Sequence, residues 1–84
     1  MDINEKLYEA AKAGNIQKME QCKNQGATDF DGSMYCAASY GHIEAMQWCK
    51  DQGATNFDEA MMWAAGNEQI DAMKWCKDQI EDKN

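Results

Sequence analysis

The chain repeats itself every 27 residues, and this periodicity constrains its fold more than any other feature of the sequence. We divide the 84 residues into a single repeat domain, 1–84, with copies at 1–27, 28–54 and 55–81 and a short charged tail at 82–84. Seven positions are identical in all three copies: Ala10, Ala37 and Ala64; Ala11, Ala38 and Ala65; Ile16, Ile43 and Ile70; Met19, Met46 and Met73; Cys22, Cys49 and Cys76; Lys23, Lys50 and Lys77; Gln25, Gln52 and Gln79. A unit this short cannot bury an apolar face alone, so the copies are expected to stack on one another.

The middle copy predicts a pair of helices. Met34, Ala37 and Ala38 form one apolar stripe with helical spacing, and Gly41 is a typical residue to end a helix. A second amphipathic helix is predicted to begin near Ile43. The chain lacks valine and proline, which disfavours strands and favours helices. The sequence therefore predicts an all-α solenoid of three helix–turn–helix repeats.

The ends of the helices are predicted from residues that favour capping. Asp31 and Asp58 are the predicted N-caps of the first helix in the second and third copies. In the third copy, the stretch 66–69 displaces the Gly-His turn, so a shorter first helix is predicted there. Ile80 replaces the glycine that ends the second helix, so this helix is predicted to continue into the tail.

The first copy differs from the others as the end of a stack should. Its second helix carries Lys18 and Gln21 where the middle copy has Ala45 and Trp48. A terminal repeat needs a polar outer face, because no neighbour covers it. Trp48 and its counterpart Trp75 are predicted to belong to the core.

Charge excludes two classes of partner. The formal net charge is −7, all eight basic residues are lysines, and acidity increases toward the C-terminus. A nucleic-acid-binding protein needs a basic face that releases counterions, and anionic membranes need the same. We therefore expect no nucleic acid and no membrane as partners, and a protein with a basic surface if charge selects the partner. The polar N-terminus predicts no leader peptide, hence an intracellular location.

The run MYCAASYGHIEAMQWCKDQGAT, residues 34–55, resembles the ankyrin repeat. The matching residues are Met34, Ala37, Ala38, Gly41, His42, Ile43, Glu44, Met46, Trp48, Cys49, Gly53 and Ala54. The Thr-Pro-Leu-His opening of that family is absent, and the period is shorter than its usual length of about 33 residues. The resemblance thus implies an ankyrin-like α-solenoid without β-hairpin fingers.

The strings GHIEAMQWCKDQGATNF and GATDFDGSMYCAA are more narrowly similar to the short ankyrin-type repeats of giant DNA viruses of amoebae, the marseillevirus group in particular. This similarity implies a viral protein that acts on a host or viral protein, in the host cytoplasm or nucleus or in the virion. It does not name the partner.

Positions that vary inside an otherwise regular repeat are the candidates for binding a partner. On the first helices these candidate protein-binding residues are Glu9, Lys12, Cys36, Ser39, Tyr40, Trp63 and Asn67. The resemblance implies that they line the concave side of the stack. Tyr40 and Trp63 are the expected anchors, since tyrosine and tryptophan are enriched at interface hot spots. The alternative is that both rings partly fold back over the neighbouring repeat.

The cysteines and the single histidine do not form a recognisable catalytic or metal site. Cys22, Cys49 and Cys76 recur once per repeat, too far apart for disulfides, and are expected to be buried free thiols. Cys36 lies off the apolar stripe and is expected to be more exposed. His42 has no counterpart in the other copies and is expected to be structural. We expect no enzyme, no metal and no cofactor.

Two functions remain open at this point. The first is a protein-interaction module that binds its partner through the first-helix face. The alternative is a small structural homo-oligomer, associated with a virion, that stacks through its ends or its concave face. The first predicts a monomer or a weak homodimer in solution.

Overall fold

A computed structural model describes residues 2–81, and the predicted tail, 82–84, lies outside them. The described chain is all-helical, with no strand in that range. Its helices are α1 (Ile3–Lys12), α2 (Ile16–Asn24), α3 (Phe30–Ser39), α4 (Ile43–Asp51), α5 (Phe57–Gly66) and α6 (Ile70–Glu81). They pack into a compact body measuring 34 × 26 × 17 Å.

The first helix of the second and third repeats begins two residues earlier than the capping prediction. The N-caps are Asp2, Asp29 and Asn56, whose side chains accept backbone N–H groups of the first turn; the Gly32 N–H, for example, donates to Asp29 Oδ1 at 2.9 Å. The prediction of Asp31 and Asp58 as caps was therefore wrong, because both lie inside the first turn. Asp29 and Asn56 are equally good capping types, so residue preference alone did not decide the register.

Three-residue turns join the two helices of each repeat, and each turn needs one left-handed residue. Gly14 and Gly41 supply it with φ of 67° and 74°, and Glu68 supplies it with φ of 59° in the third repeat. The turn of the third repeat keeps the geometry of the other two, and α5 is ten residues long, the same length as α1 and α3. The prediction of a shorter first helix in the third copy was wrong, since a non-glycine residue adopts the left-handed conformation.

The helices lie in two layers. The first layer contains α1, α3 and α5, and α3 packs closely against both of its neighbours in this layer. The second layer contains α2, α4 and α6, each packed on the first helix of its own repeat and only sparsely on one another. The alanine columns explain the difference, because Ala10, Ala37 and Ala38 are buried between the helices and allow a close approach.

The core lies between the two layers and consists mainly of alanine, methionine and cysteine. Cys22, Cys49 and Cys76 are buried there as free thiols, as the sequence predicts. Trp48 is also buried, with its ring edge-to-face on Phe30 at 5.6 Å between centroids. Trp75 repeats this contact with Phe57 but is only half-buried, which corrects the prediction that it is core. It lies on α6, which has a second-layer neighbour on one side only.

Side-chain acceptors on the first helices connect successive repeats. The side chain of Asn4 accepts the backbone N–H groups of Thr28 and Asp29 at 2.9 and 3.1 Å. Asp31 accepts those of Thr55 and Asn56 at 3.0 and 3.1 Å in the same way. Each of these side chains thus holds the segment that leads into the next repeat.

Candidate protein-binding groove

A groove of about 500 Å³ crosses the first-helix layer. All its lining residues lie on α1, α3 and α5 or in the turns that follow them: Tyr8, Lys12, Gly32, Tyr35, Cys36, Ser39, Tyr40, Trp63 and Asn67. No residue of the second layer contributes. The groove therefore lies on the side of the first helices that faces away from the second layer, where three repeats contribute side chains to one surface.

The structure brings six of the seven predicted binding residues together in this groove. They are Lys12, Cys36, Ser39, Tyr40, Trp63 and Asn67. Glu9 lies beside it, exposed, and its carboxylate forms an ion pair with Lys12 Nζ at 3.2 Å. Tyr40 and Trp63 are 56% and 48% exposed, so about half of each side chain remains available for contact. The rest of each side chain is covered, which is compatible with the alternative in which both rings partly fold back over the neighbouring repeat.

Three lining residues were missed by the sequence reasoning: Tyr8, Gly32 and Tyr35. Tyr8 and Tyr35 occupy the same position of the first and second repeats, and Met62 occupies it in the third. The prediction concentrated on positions that vary between copies, whereas these two are the same. A tyrosine at a repeated position outside the apolar stripe was the signal that could have identified them.

The surroundings of Tyr8 and Tyr35 favour the protonated form of these two hydroxyls. The Tyr8 hydroxyl donates a hydrogen bond to the carboxylate of Asp29, the N-cap of α3. This bond raises the pKa of Tyr8 to about 12, with desolvation and the Asp29 charge acting in the same direction. Desolvation also raises the pKa of Tyr35. Both rings therefore offer the groove a neutral aromatic surface.

The polar groups of the groove are suited to contact rather than to catalysis. Burial raises the pKa of the Cys36 thiol, so it is not activated as a thiolate. Cys36 is half-buried, more accessible than the other three cysteines, as predicted. Ser39 is occupied within its helix, because its hydroxyl donates to the Tyr35 carbonyl at 3.0 Å. The lining thus combines aromatic surface with a few neutral or paired polar groups.

His42 lies outside the groove and has a packing role. A side-chain carbon added at Gly14 would approach His42 Nδ1 to 2.8 Å, so the imidazole covers the turn of the preceding repeat. Gln69 covers Gly41 in the same way. Within residues 2–81, no three His, Cys, Asp or Glu side chains cluster as a metal site would require. None of the helices in that range is both long and apolar enough to cross a membrane.

No protein-family model matches the chain, and no curated protein matches it either. The groove and the stack themselves are therefore the basis for inferring its function.

Proposed function

We propose that this chain is a protein-interaction module that binds a partner protein through the groove in its first-helix layer. The observation that carries this proposal is the convergence on one surface of six residues from three variable repeat positions, including both exposed aromatic side chains. Interface anchors are typically aromatic side chains in a pocket surrounded by less important contacts. A useful interface buries about 800 Å² per partner, so the partner must cover most of this side of a molecule 34 Å long.

The finer identity that we propose is an ankyrin-like solenoid with shortened repeats, of the type found in giant DNA viruses of amoebae. The matching residues of the middle repeat support it, as does the pairwise arrangement of helices in two layers. The partner would then be a host or viral protein. The net charge of −7 favours a partner with a basic surface, and binding should weaken as salt is added.

The test is the loss of binding when the aromatic anchors are removed. A partner is first captured from amoebal cells with the full chain, and its affinity is measured by isothermal titration calorimetry. Trp63→Ala and Tyr40→Ala should each cost about 2 kcal/mol or more of binding free energy, close to 30-fold in Kd. Both side chains are about half exposed, so the melting temperature should change little.

Gln21→Ala, an exposed position on the second layer, is the control and should leave the affinity unchanged. If both aromatic substitutions lowered the melting temperature by many degrees and left binding intact, the groove would not be the binding site.

The alternative, a structural homo-oligomer, has one observation in its favour. Met62 and Ile70 are 66% and 52% exposed at the C-terminal end of the stack. The N-terminal end argues against head-to-tail stacking, because Lys6 and Lys18 occupy positions where the inner repeats carry small buried side chains such as Ser33. Light scattering coupled to size-exclusion chromatography distinguishes the two functions, since the interaction module should be monomeric by itself.

A further inference from the structure

The last first-layer helix keeps a packing face that its own chain does not cover. Ala11 on α1 and Ala38 on α3 are both completely buried, because the next first-layer helix packs against them. Ala65 holds the same position on α5 and is exposed. We call the outward side of α5, formed by Asp58, Met62 and Ala65, the end face.

The large side chains around the end face are also more exposed than their counterparts in the preceding repeats. Ile16 and Ile43 are partly buried against the core, whereas Ile70, their counterpart, is 52% exposed. Tyr35 is half-buried where Met62, its counterpart, is 66% exposed. The end face is therefore equivalent to the surface of α1 that packs on α3 and to the surface of α3 that packs on α5. Within the described residues, no helix packs on the end face.

A polar acceptor marks where the missing element would begin. Asn4 and Asp31 each accept two backbone N–H groups from the segment that leads into the next first-layer helix. Asp58 is the third member of this series. Its carboxylate is placed to accept the equivalent N–H groups of a helix that lies parallel to α5.

Glu68 restricts which structural element can pack on the end face. Gly14 and Gly41 are covered by His42 and Gln69, the residues that begin the second helix of the following repeat. At the third turn Glu68 replaces the glycine, so a side chain begins at the position where the preceding turns have none. A complete fourth repeat of the same geometry would have to place the residue before its second helix away from Glu68. A single helix packed on α5 alone would not reach it.

Charge defines the edges of such a helix. Asp58, Glu59 and Glu68 are the only charged residues in the segment 57–69, which contains α5 and the turn after it. A helix that covers Ala65 and Met62 therefore lies among three carboxylates and no lysine of this segment. Basic residues along its edges would be attracted, and acidic ones repelled.

From these contacts we infer that the end face binds one amphipathic helix of a partner protein. The helix lies parallel to α5, presents small apolar side chains to Ala65 and Met62, and carries lysine or arginine at its edges. This is helix recognition by an apolar surface, using an interface that the chain already forms twice internally. The end face borders the groove, because Met62 shares a shallow depression with the groove residues Trp63 and Asn67. Asp58 and Ala65 do not line the groove.

A peptide derived from α5 tests it, because α5 is the helix that covers the equivalent face of α3. The probe is a synthetic peptide of residues 55–67 with Asp58→Lys and Glu59→Lys, titrated into the ¹⁵N-labelled full chain. Amide signals of residues 58–70 should shift, and added salt should reduce the affinity. The unaltered acidic peptide is the matched control and should bind at least about tenfold more weakly.

Variants of the full chain localise the contact. Ala65→Lys, and independently Met62→Ala, should weaken binding of the basic peptide, the first by about tenfold or more. Ala13→Lys, the same change at an exposed position of the other end, should leave it unchanged, and so should Tyr40→Ala in the groove.

Three results would overturn the inference: no binding of the basic peptide, binding that Ala65→Lys does not affect, or shifts confined to the groove residues of α1 and α3 and the turns that follow them. Concentration-dependent self-association that Ala65→Lys abolishes would also overturn it, since a second copy would then occupy the end face.

Discussion

Glu68 carries a conformational cost that the first two repeats avoid. Its φ of 59° is in the left-handed region, where a side chain costs about 1–2 kcal/mol and glycine costs almost nothing. Gly14 needs to be glycine for a second reason, because an added side chain would meet the His42 ring of the following repeat at 2.8 Å. The third turn has only the first of these constraints within the described residues.

Glu68→Gly should therefore stabilise the protein. The released strain, less the extra flexibility of glycine in the unfolded chain, amounts to about 1 kcal/mol in the free energy of unfolding. Urea denaturation monitored by circular dichroism measures it. The reference variant is Gly41→Ala, which should destabilise the protein, since the φ of 74° at this position lies in the left-handed region that alanine rarely adopts. An unchanged or lower stability of Glu68→Gly would show that the turn is not strained.

Three residues with raised pKa values should make the free energy of unfolding depend on pH in the alkaline range. Burial raises the pKa of Cys49 and of Cys76 to about 11, from an ordinary value of 9.0. The bond to Asp29 raises the pKa of Tyr8 to about 12, from 10.0. In each case the folded state favours the neutral form. The stability that each group contributes is complete below its unfolded pKa and is lost as pH rises through its folded pKa.

Unfolding in urea should accordingly show little change in stability from these groups up to pH 8.5. A progressive loss should follow between pH 9 and 11 from the thiols, and a further loss between pH 10 and 12 from Tyr8. Tyr8→Phe serves as the control, because it should remove only the later loss. Constant stability from pH 8 to 11 would contradict the placement of both thiols in the core.

At the scale of helices, a matched pair of variants can test the side chains that accept N–H groups from the segment leading into the next repeat. Asp31 and Asp58 occupy the same position in the first turns of α3 and α5. Asp31→Ala removes acceptors for two backbone N–H groups, and each such bond to a charged group contributes about 1 kcal/mol or more. Asp58→Ala loses only the favourable interaction of an acid with the helix N-terminus, about 0.5 kcal/mol.

Chemical denaturation should therefore show Asp31→Ala to be less stable than Asp58→Ala by about 1 kcal/mol or more. Equal losses for the two variants would mean that the connection between repeats contributes nothing beyond the local helix. The same comparison bears on the end face, where Asp58 is proposed to accept N–H groups from a partner.

The helices themselves could largely be predicted from the sequence, because glycine and alanine positions repeat with a fixed period. Gly41 ends α3 and Ile43 begins α4 as predicted, and α6 extends through Ile80 to Glu81, the last described residue. The starts of the first helices were predicted two residues late, since Asp29 and Asp31 are both suitable caps. Only the contact of Asp31 with the following repeat distinguishes them, and that contact is tertiary.

For the whole molecule, the candidate site could be predicted in part. Variation between copies identified residues that the fold collects in one groove, because equivalent positions of stacked repeats lie side by side. It did not identify Tyr8 and Tyr35, which line the same groove and are identical to each other in the first two copies. Nor could it identify the end face, because Ala65 is identical to Ala11 and Ala38 and differs from them only in what packs on it.

The unequal packing of the two layers has a mechanical consequence. The first layer is dense and resists compression, whereas helices of the second layer touch sparsely and are joined across repeats by polar contacts such as Trp48 Nε1 to Glu20 Oε1, at 3.0 Å. We therefore expect bending of the stack to change the distances between second-layer helices more than those between first-layer helices. If second-layer helices move apart, the opposite side of the first layer should become narrower, and if they approach one another it should become wider. Movements of the second layer are thus expected to alter the width of the groove.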